Sequence, residues 1–499
     1  MAEPAIARRL PLGRLALYLL LGFSAGLPFY MFNAVLLLRL ARHDIDIVLI
    51  GFFAWVALLP TFKFVWAPLL DRFAIPGFSR FWGNRRGWIM LSQLGIFLSM
   101  VAMAATSGDK SLPLTALFAV LLAFWTTTLE VAADGWRIEL APSQAEQGPM
   151  VAANLWGYRG AMVAAGSGAV YVAGQLDWTW AYLVIAAAAF LPFPILCAMR
   201  PTEPSRARGR RRNVADRWAA LATGLIASVA ILLLSVAATA AIGWVMLAAA
   251  AQVGISSKSN VTPFVLAIAL LPFVALALAL PRIRRMSPDA PALRSAAIGP
   301  YVDIFWRYGY RVLPLLGFVA IYRMGDVMTL TLSHPLWNAR GYSLNQIAFA
   351  DGWIALPSSM VGVTVGGWLA VRWPLRLALT AAALGSAIGN WVFVWLWKVP
   401  PSNFVIYVAA GLDQFAHGLE GAVFVVYLSM LVNPRYPVAQ YAFLSGFAFL
   451  LPRLVAGASG AMQTRMGYDG FFWLAGGLSA AAILILPFIA NLKARANAA

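Results

Sequence analysis

The sequence predicts an all-α polytopic membrane protein. Of the 499 residues, 62% are hydrophobic and only 11% are charged, whereas soluble domains have about 45–50% apolar and about 25% charged residues. Apolar runs of about 20 residues, the length at which a helix crosses a bilayer, also recur along the whole chain. This composition excludes the class of ordinary soluble globular proteins.

Fourteen apolar runs have spanning length, and each predicts one transmembrane helix. They lie at 13–38, 47–70, 87–106, 113–136, 150–174, 178–198, 218–245, 261–281, 311–332, 344–371, 376–397, 403–431, 438–461 and 470–491. The first run has three arginines before or at its start, as a signal peptide does, but its roughly 25 apolar residues exceed the 7–15 of such a segment. We therefore expect the first run to be retained as a helix.

Lysine and arginine residues fall mainly on one side of this predicted topology. With the N-terminus in the cytoplasm, the cytoplasmic segments hold 26 of the 37 basic residues and the periplasmic loops hold seven. Short cytoplasmic loops retain basic residues, whereas translocated loops lose them. Both termini are therefore predicted to be cytoplasmic, and the net charge of +18 reflects this topology rather than binding to nucleic acid.

The chain also divides near its middle. An Arg-rich segment at 202–213 precedes two apolar helices without ionisable residues in their interiors, and a second basic segment follows at 282–294. VAAGSGA at 163–169 recurs as VAGASGA at 455–461. A parallel repeat of six helices is the symmetry of major facilitator transporters. The predicted parts are an N-terminal six-helix half, an insert with two extra helices that we expect to face lipid, and a C-terminal six-helix half, at 1–200, 201–300 and 301–499.

Ionisable residues inside the predicted spans are the main functional signal. A charge at membrane depth costs a few kcal/mol or more unless it faces a cavity or a partner. These residues are Lys63, Glu130, Asp134, Arg159, Arg323, Asp326, Asp351, Asp413, His417, Glu420 and Arg453.

Two triplets among the polar residues share the spacing i, i+4, i+7, namely Glu130, Asp134 and Arg137, and Asp413, His417 and Glu420. This spacing puts each triplet on one face of its helix. We expect both faces to border one central cavity, where the acids and His417 serve proton coupling. The alternatives are that arginines neutralise the acids only to lock helices together, and that His417 is a hydrogen-bonded spacer.

The cationic residues in the spans are candidates for binding a solute. Arg159, Arg323 and Arg453 can each bind a carboxylate through two parallel hydrogen bonds. Asp326 lies three residues after Arg323, so these two could instead pair with each other. Lys63 could reach the cavity or extend outward along its stem.

The loop between the second and third predicted spans is a candidate gate. Asp71 and Arg72 begin this loop, and Arg85 and Arg86 lie at the start of the next helix. Asp71 can cap or bridge to a neighbouring helix end, whereas we expect Arg85 and Arg86 at the cytoplasmic lipid surface. The plain alternative is that the loop only satisfies the positive-inside rule, which applies more to basic residues such as Arg80 than to Asp71.

Motifs of soluble enzymes are absent from the sequence. There is no GxxxxGK[ST] phosphate loop, and no nucleophile lies at a plausible spacing from a base. The single cysteine, Cys197, and three histidines argue against a disulfide or a dedicated metal centre. We therefore expect no enzyme activity and no cofactor. Trp156 lies near the polar face of its helix, where its ring could stack on a sugar.

Several segments resemble the AmpG-type muropeptide permeases of the major facilitator superfamily. They are GFSAGLPF (22–29), FKFVWAPLLDRF (62–73), RRGW (85–88), LEVAADGWRIE (129–139), GYRGAM (157–162), YRMGD (322–326) and AQYAFLSGF (439–447). That family also has two extra helices between its halves. The resemblance implies proton-driven import of anhydromuropeptides, GlcNAc–anhydroMurNAc with or without peptide, from periplasm to cytoplasm for peptidoglycan recycling.

The resemblance also implies roles for single residues. Glu130 stands where the family usually has Asp, and Asp413 matches a family Glu. Residues at other motif positions are Asp134, Trp136, Arg159, Arg323 and Asp326. The chain departs from the family pattern at Leu129, which replaces a usual Gln, and at His417 and Glu420, which replace glycines.

The resulting prediction is a monomeric proton-coupled importer in the bacterial inner membrane. Its expected partners are the muropeptide, protons and the lipid bilayer, without nucleic acid. Two other readings remain open at this point. The chain could import another amphiphilic solute, such as a siderophore or an acyl-coenzyme A, or it could be a membrane assembly factor that transports nothing.

Overall fold

The computed structural model describes residues 11–42, 54–106, 111–199, 214–253, 270–295, 297–456 and 458–489. Within these ranges the regular secondary structure is helical and contains no strand, which confirms the all-α class. In chain order the α-helices are α1 (Leu12–Tyr30), α2 (Leu36–Arg42), α3 (Ala67–Arg72), α4 (Phe78–Trp82), α5 (Asn84–Ala105), α6 (Leu112–Leu140), α7 (Gln144–Val163), α8 (Ala169–Gln175), α9 (Trp178–Ala189), α10 (Pro192–Ala198), α11 (Val214–Val253), α12 (Leu280–Arg284), α13 (Pro291–Arg294), α14 (Gly299–Tyr308), α15 (Val312–Tyr322), α16 (Met324–Ala339), α17 (Leu344–Phe349), α18 (Leu356–Arg372), α19 (Leu375–Lys398), α20 (Asn403–Leu431), α21 (Pro437–Ala456) and α22 (Ser459–Ile489).

Shorter helical forms connect some of these elements. A 3₁₀ helix, Ala54–Val65, leads into α3, and another, Gly309–Arg311, joins α14 to α15. π-Helical turns interrupt three long helices, at Met31–Val35, Ala164–Gly168 and Ala350–Ala355. Such turns occur often at functional sites because they redirect side chains within a helix.

Eleven helical stretches in the described part of the chain are long and apolar enough to cross a membrane. They correspond to eleven of the fourteen predicted spans. The remaining three, 47–70, 150–174 and 261–281, are helical over almost all of their described residues. The protein is therefore a multi-pass membrane protein built from helices.

Helices α1 and α7 approach each other closely because both have glycine at the contact. A Cβ atom on Gly22 would lie 2.0 Å from the Asn154 carbonyl oxygen, and one on Gly157 would lie 1.8 Å from the Leu19 carbonyl oxygen. Small residues allow helix backbones to approach in this way within a membrane. The contact brings the segments 22–29 and 157–162 together, although they are far apart in the sequence.

One end of the bundle carries the short helices α3, α4, α13 and α14, and we call it the linker end. At this end α7 packs against α18, and α21 packs against α3 and α6. A Cβ atom on Gly148 of α7 would lie 2.6 Å from the Gly367 carbonyl oxygen of α18. Helices before residue 200 and helices after residue 298 are thus tightly packed at the linker end.

The insert contributes two different surfaces. Helix α11 exposes large apolar side chains, such as Ile226 and Leu234, as expected for a helix that faces lipid. Phe273 of the second insert helix is instead buried. Its ring stacks on Phe443 of α21 at a centroid distance of 4.4 Å and lies 5.4 Å from Phe64 of the 3₁₀ helix. This helix therefore covers the contact between the 3₁₀ helix and α21, so it does more than face lipid.

Candidate functional site

Four ionisable side chains from the α15–α16 junction and from α20 form what we call the charged cluster: Arg323, Asp326, His417 and Glu420. Nη1 of Arg323 lies 3.2 Å from Oδ2 of Asp326 and 3.4 Å from Oε2 of Glu420. Nδ1 of His417 lies 2.9 Å from the same Asp326 oxygen. Arg323 and Asp326 are buried, and Glu420 is fully enclosed. The pairing of Arg323 with Asp326, left open by the spacing, is present.

The charge balance of this cluster has a chemical consequence. One guanidinium faces two carboxyl groups, so the cluster is neutral only when one proton resides on His417 or on a carboxyl group. Net charge in a buried site is costly, which favours retention of that proton. Ser386 donates a hydrogen bond of 2.9 Å to Oδ1 of Asp326, while Oε1 of Glu420 has no hydrogen-bond partner among the described residues.

Arg159 on α7 has very different surroundings. Its side chain is half-buried, and within the described ranges it forms no salt bridge and no hydrogen bond. It lies within electrostatic range of Arg323 and Asp326, and also of Asp413. Arg159 therefore lies in the neighbourhood of the charged cluster and has donors available for another group.

Glu130 and Asp413 are half-buried carboxylates without an arginine in contact. The charged groups within range of Glu130 are Lys63 and Asp134. Asp413 accepts a hydrogen bond of 2.9 Å from its neighbour Gln414. Lys63 points inward rather than to the lipid, because its Nζ atom lies 6.0 Å from the ring centroid of Tyr441 on α21 and within range of Glu130.

Arg453 and Trp156 each connect helices from before residue 200 to helices from after residue 298. The Arg453 guanidinium on α21 donates a hydrogen bond to the Thr61 hydroxyl of the 3₁₀ helix. Nε1 of Trp156 on α7 donates to Oγ1 of Thr364 on α18 at 2.9 Å. The polar edge of the Trp156 ring is therefore already used within the protein.

Asp71 at the linker end caps a helix that lies far away in the sequence. Its two carboxylate oxygens accept hydrogen bonds from the backbone N–H groups of Val438 (3.3 Å) and Ala439 (2.9 Å), in the first turn of α21. Arg85 donates to it at 2.7 Å. Burial raises the pKa of Asp71, and Arg85 together with these N–H groups opposes that rise. A carboxylate is stabilised at a helix N-terminus by the helix dipole, so Asp71 joins α3 to α21.

The expectation that Arg85 and Arg86 lie at the lipid surface is wrong, since both are buried. Arg85 also donates 2.8 Å hydrogen bonds to Glu139 and to the Leu70 carbonyl oxygen. The Arg86 guanidinium lies 5.1 Å from the ring centroid of Trp136. Acidic and aromatic partners from α6 thus compensate for the lost hydration.

Two further contacts close the linker end. Arg72 donates to the Ser295 carbonyl oxygen at 3.1 Å, just before α14. Arg137 forms an ion pair of 2.9 Å with Asp134 and donates to Ser429 of α20 at 3.0 Å. Asp134 therefore belongs to the linker end, one helical turn away from Glu130.

The sequence analysis did not identify two polar groups. At the linker end, Asp303 and Arg307 of α14 form an ion pair of 2.9 Å that Gln440 of α21 bridges. Their spacing of four residues puts both side chains on one face of a helix and could have predicted this ion pair. The second group is His334, whose Nε2 lies 2.8 Å from Asp351 on the next membrane helix. Across the described residues, no group of three or more His, Cys, Asp or Glu is arranged to hold a metal ion.

Curated proteins named as transporters match this sequence over nearly its whole length. The sequence is 26% identical over 472 residues to the putative transporter AmpG 4 of Rickettsia conorii, covering 94% of this chain and 95% of that protein. It is 23% identical over 461 residues to the anhydromuropeptide permease of Escherichia coli K12, covering 92% of this chain and 76% of that protein. The chain is thus similar, over nearly its whole length, to proteins named as AmpG transporters and as an anhydromuropeptide permease. No family model matches it.

Comparison with solved structures shows the fold of this chain. The proton:xylose symporter XylE superposes with a TM-score of 0.60 at 14% identity, covering 97% of this chain and 96% of that one. The human organic anion transporter MFSD10 superposes with a TM-score of 0.55 at 17% identity, covering 96% and 100%. Both matches confirm the major facilitator fold.

Proposed function

We propose that this protein is a proton-coupled importer of anhydromuropeptides, GlcNAc–anhydroMurNAc with or without peptide, for peptidoglycan recycling. In this proposal it is a monomer in the bacterial inner membrane, with both termini and the linker end in the cytoplasm. The observation that carries the proposal is the contrast at the centre of the bundle. A guanidinium without an acidic partner, Arg159, lies near a buried cluster that is neutral only with a proton bound.

The solute is bound first by Arg159. Muropeptides carry carboxylates on the lactyl group or on the stem peptide, and a guanidinium binds a carboxylate through two parallel hydrogen bonds. Arg453 and Lys63 add positive charge on the same cavity. Arg323 and Asp326, predicted to bind solute, are assigned instead to the charged cluster because they already satisfy each other.

Proton coupling rests on acids whose surroundings change during the cycle. Glu130 and Asp413 have no arginine in contact, so each can exchange a proton when the cavity opens to one side or the other. His417 and Glu420 hold the proton that neutralises the charged cluster. Arrival of a solute carboxylate at Arg159 adds negative charge close to Asp413 and Asp326, which favours uptake of a proton together with the solute.

Alternation of access rests on the linker end. Asp71, Arg85 and Arg72 hold α3 against α21 and the segment before α14, and Arg86 fixes the adjoining helix on α6. Asp134 acts here, by orienting Arg137 toward Ser429, rather than in proton exchange. These contacts must separate for the solute to leave toward the cytoplasm, so their strength sets the stability of the closed form.

Uptake into proteoliposomes tests the proposal. Labelled GlcNAc–anhydroMurNAc should accumulate when the interior is alkaline relative to the exterior, and acyl-coenzyme A or a ferric siderophore should not compete. Glu130→Gln and Asp413→Asn should each abolish gradient-driven accumulation while retaining exchange of solute across the membrane. Full accumulation in both variants would overturn the coupling assignment, and competition by either other solute would overturn the substrate.

A further inference from the structure

Three aromatic side chains, Phe29 and Tyr30 at the end of α1 and Tyr158 on α7, form a compact group that we call the aromatic triad. Its ring centroids are 5.6 Å apart for Phe29 and Tyr30, 6.0 Å for Phe29 and Tyr158, and 6.3 Å for Tyr30 and Tyr158. All three side chains are half-buried. Part of each ring therefore remains available to another molecule.

The aromatic triad lies beside charged residues of α6, α7 and α21. Arg159 follows Tyr158 directly and is within electrostatic range of both phenol groups. Tyr158 is also within range of Glu130 on α6 and of Arg453 on α21. Helices α1, α6, α7 and α21 thus bring these rings close to the ionisable residues to which the proposed function assigns solute binding and proton coupling.

The two phenol groups of the triad differ from those of Tyr18 and Tyr322, which are hydrogen-bonded within the protein. Tyr18 donates a hydrogen bond of 3.2 Å to the Ala133 carbonyl oxygen, and Tyr322 donates one of 3.2 Å to the Leu379 carbonyl oxygen. In the described part of the chain, neither Tyr30 nor Tyr158 makes a hydrogen bond through its hydroxyl. A buried phenol usually finds a partner, so these two hydroxyl groups remain able to donate a hydrogen bond to a ligand.

Backbone packing holds the triad in place. A Cβ atom on Gly26 would lie 3.0 Å from the Tyr158 carbonyl oxygen and 2.7 Å from Cβ of Ala161. No larger residue fits there without moving α7 away from α1. Rings on two helices that are in backbone contact form a preorganised surface, which lowers the entropic cost of binding.

We propose that the aromatic triad and Arg159 together form a subsite for an acidic sugar ring. The C–H face of a pyranose is apolar and packs on aromatic rings, while its oxygen substituents accept hydrogen bonds from the two phenols. A carboxylate on the same ring system then reaches the Arg159 guanidinium. The inference rests on the proposed import of muropeptides and names the residues that recognise their N-acetylmuramyl part. Trp156, whose indole N–H is bonded to Thr364, is not needed for stacking.

The test compares tyrosine variants on one helical stretch. Tyr158→Leu removes ring and hydroxyl, Tyr158→Phe removes only the hydroxyl, and Tyr171→Leu in α8 is the matched control, because Tyr171 is 69% exposed. The apparent KM for GlcNAc–anhydroMurNAc should rise about tenfold or more in Tyr158→Leu, as expected for loss of about 1.4 kcal/mol. Tyr158→Phe should show a smaller rise, and Tyr171→Leu should remain within about twofold of the unmodified protein.

A second probe separates stacking from charge recognition. Chitobiose, a disaccharide without a carboxylate, should compete weakly with the acidic disaccharide, and Arg159→Ala should remove the difference between the two. Equal KM values in Tyr158→Leu, Tyr158→Phe and Tyr171→Leu, alongside active uptake by the unmodified protein, would overturn the subsite and leave the proposed function standing. Absence of uptake by the unmodified protein would instead overturn the proposed function. If Tyr158→Leu does not fold, Tyr158→Phe decides.

Discussion

Two arginines within the helical bundle, Arg323 and Arg159, have the same chemistry and opposite surroundings. Arg323 contacts two carboxylates, Asp326 and Glu420, within a buried cluster. Arg159 is half-buried and has no acidic partner in the described residues. A guanidinium with its hydrogen bonds satisfied by the protein contributes to structure and to charge balance, whereas one with free donors is available for a ligand.

A list of the ionisable residues within the membrane spans therefore does not identify which of them bind a ligand. Both arginines would be costly if they faced lipid. Arg323 avoids that cost because two acids neutralise it, whereas Arg159 has other ionisable groups of the protein within electrostatic range but no acid in contact. The expected consequences of substitution therefore differ in kind: loss of stability for the first and loss of affinity for the second.

The largest effect should come from Arg323→Ala. Removing the guanidinium leaves Asp326 and Glu420 buried without their cation, and breaking a buried ion pair in this way costs about 3–5 kcal/mol. The free energy of unfolding should fall by that amount, measured by thermal unfolding in detergent. Arg159→Ala is the control, with a change below about 1 kcal/mol. Equal losses in the two variants would remove the distinction between a paired and an unpaired arginine.

A smaller effect, on affinity rather than stability, should come from changes at Arg159. A hydrogen bond to a charged group contributes about 1.5–3 kcal/mol, so Arg159→Ala should raise the apparent KM for GlcNAc–anhydroMurNAc by about 10- to 100-fold. Arg159→Lys retains the charge without the paired donors and should give an intermediate value. An unchanged KM in Arg159→Lys, combined with failure of Arg159→Ala to fold, would make Arg159 a structural residue.

The next smaller effect concerns the linker end. Asp71→Asn keeps the side-chain shape but removes the charge that stabilises the first turn of α21, so the closed form should lose about 1–2 kcal/mol, a factor of about 5–30. Alkylation of Val432→Cys, a position that is 7% exposed at the linker end, in a Cys197→Ala background measures the opening. Asp289→Asn serves as the control, because Asp289 pairs with Arg294 on the exposed surface. Equal alkylation rates would remove Asp71 from the gate.

The smallest effect should come from Trp156→Phe. This change removes one neutral hydrogen bond to Thr364, which contributes about 0.5–1.5 kcal/mol. The same alkylation assay should show a modest increase in opening, while the apparent KM for the disaccharide stays unchanged. A raised KM with unchanged opening would return the stacking role to Trp156 and weaken the case for Tyr158.

Sequence patterns alone predicted the all-α membrane class and most of the spanning helices. The apolar runs predicted helices that the structure confirms, because a bilayer admits only backbone that satisfies its own hydrogen bonds. The spacing of Arg323 and Asp326 already allowed an ion pair. The family resemblance was carried by short segments such as 22–29 and 157–162, and the structure shows why two of them belong together: their glycines form the contact between α1 and α7.

Only the tertiary structure decided which charges pair between distant segments of the chain. Glu420 reaches Arg323 from 97 residues away, and Asp71 caps a helix that begins more than 350 residues later, so helical spacing along one element carried no information about either contact. Arg85 and Arg86 are buried, contrary to the expectation from their position in a basic loop. Their partners Glu139 and Trp136 belong to α6, so spacing within the loop could not indicate these contacts either. A basic residue near a membrane surface faces lipid head groups unless another helix supplies a carboxylate or a ring, and packing alone determines whether one does.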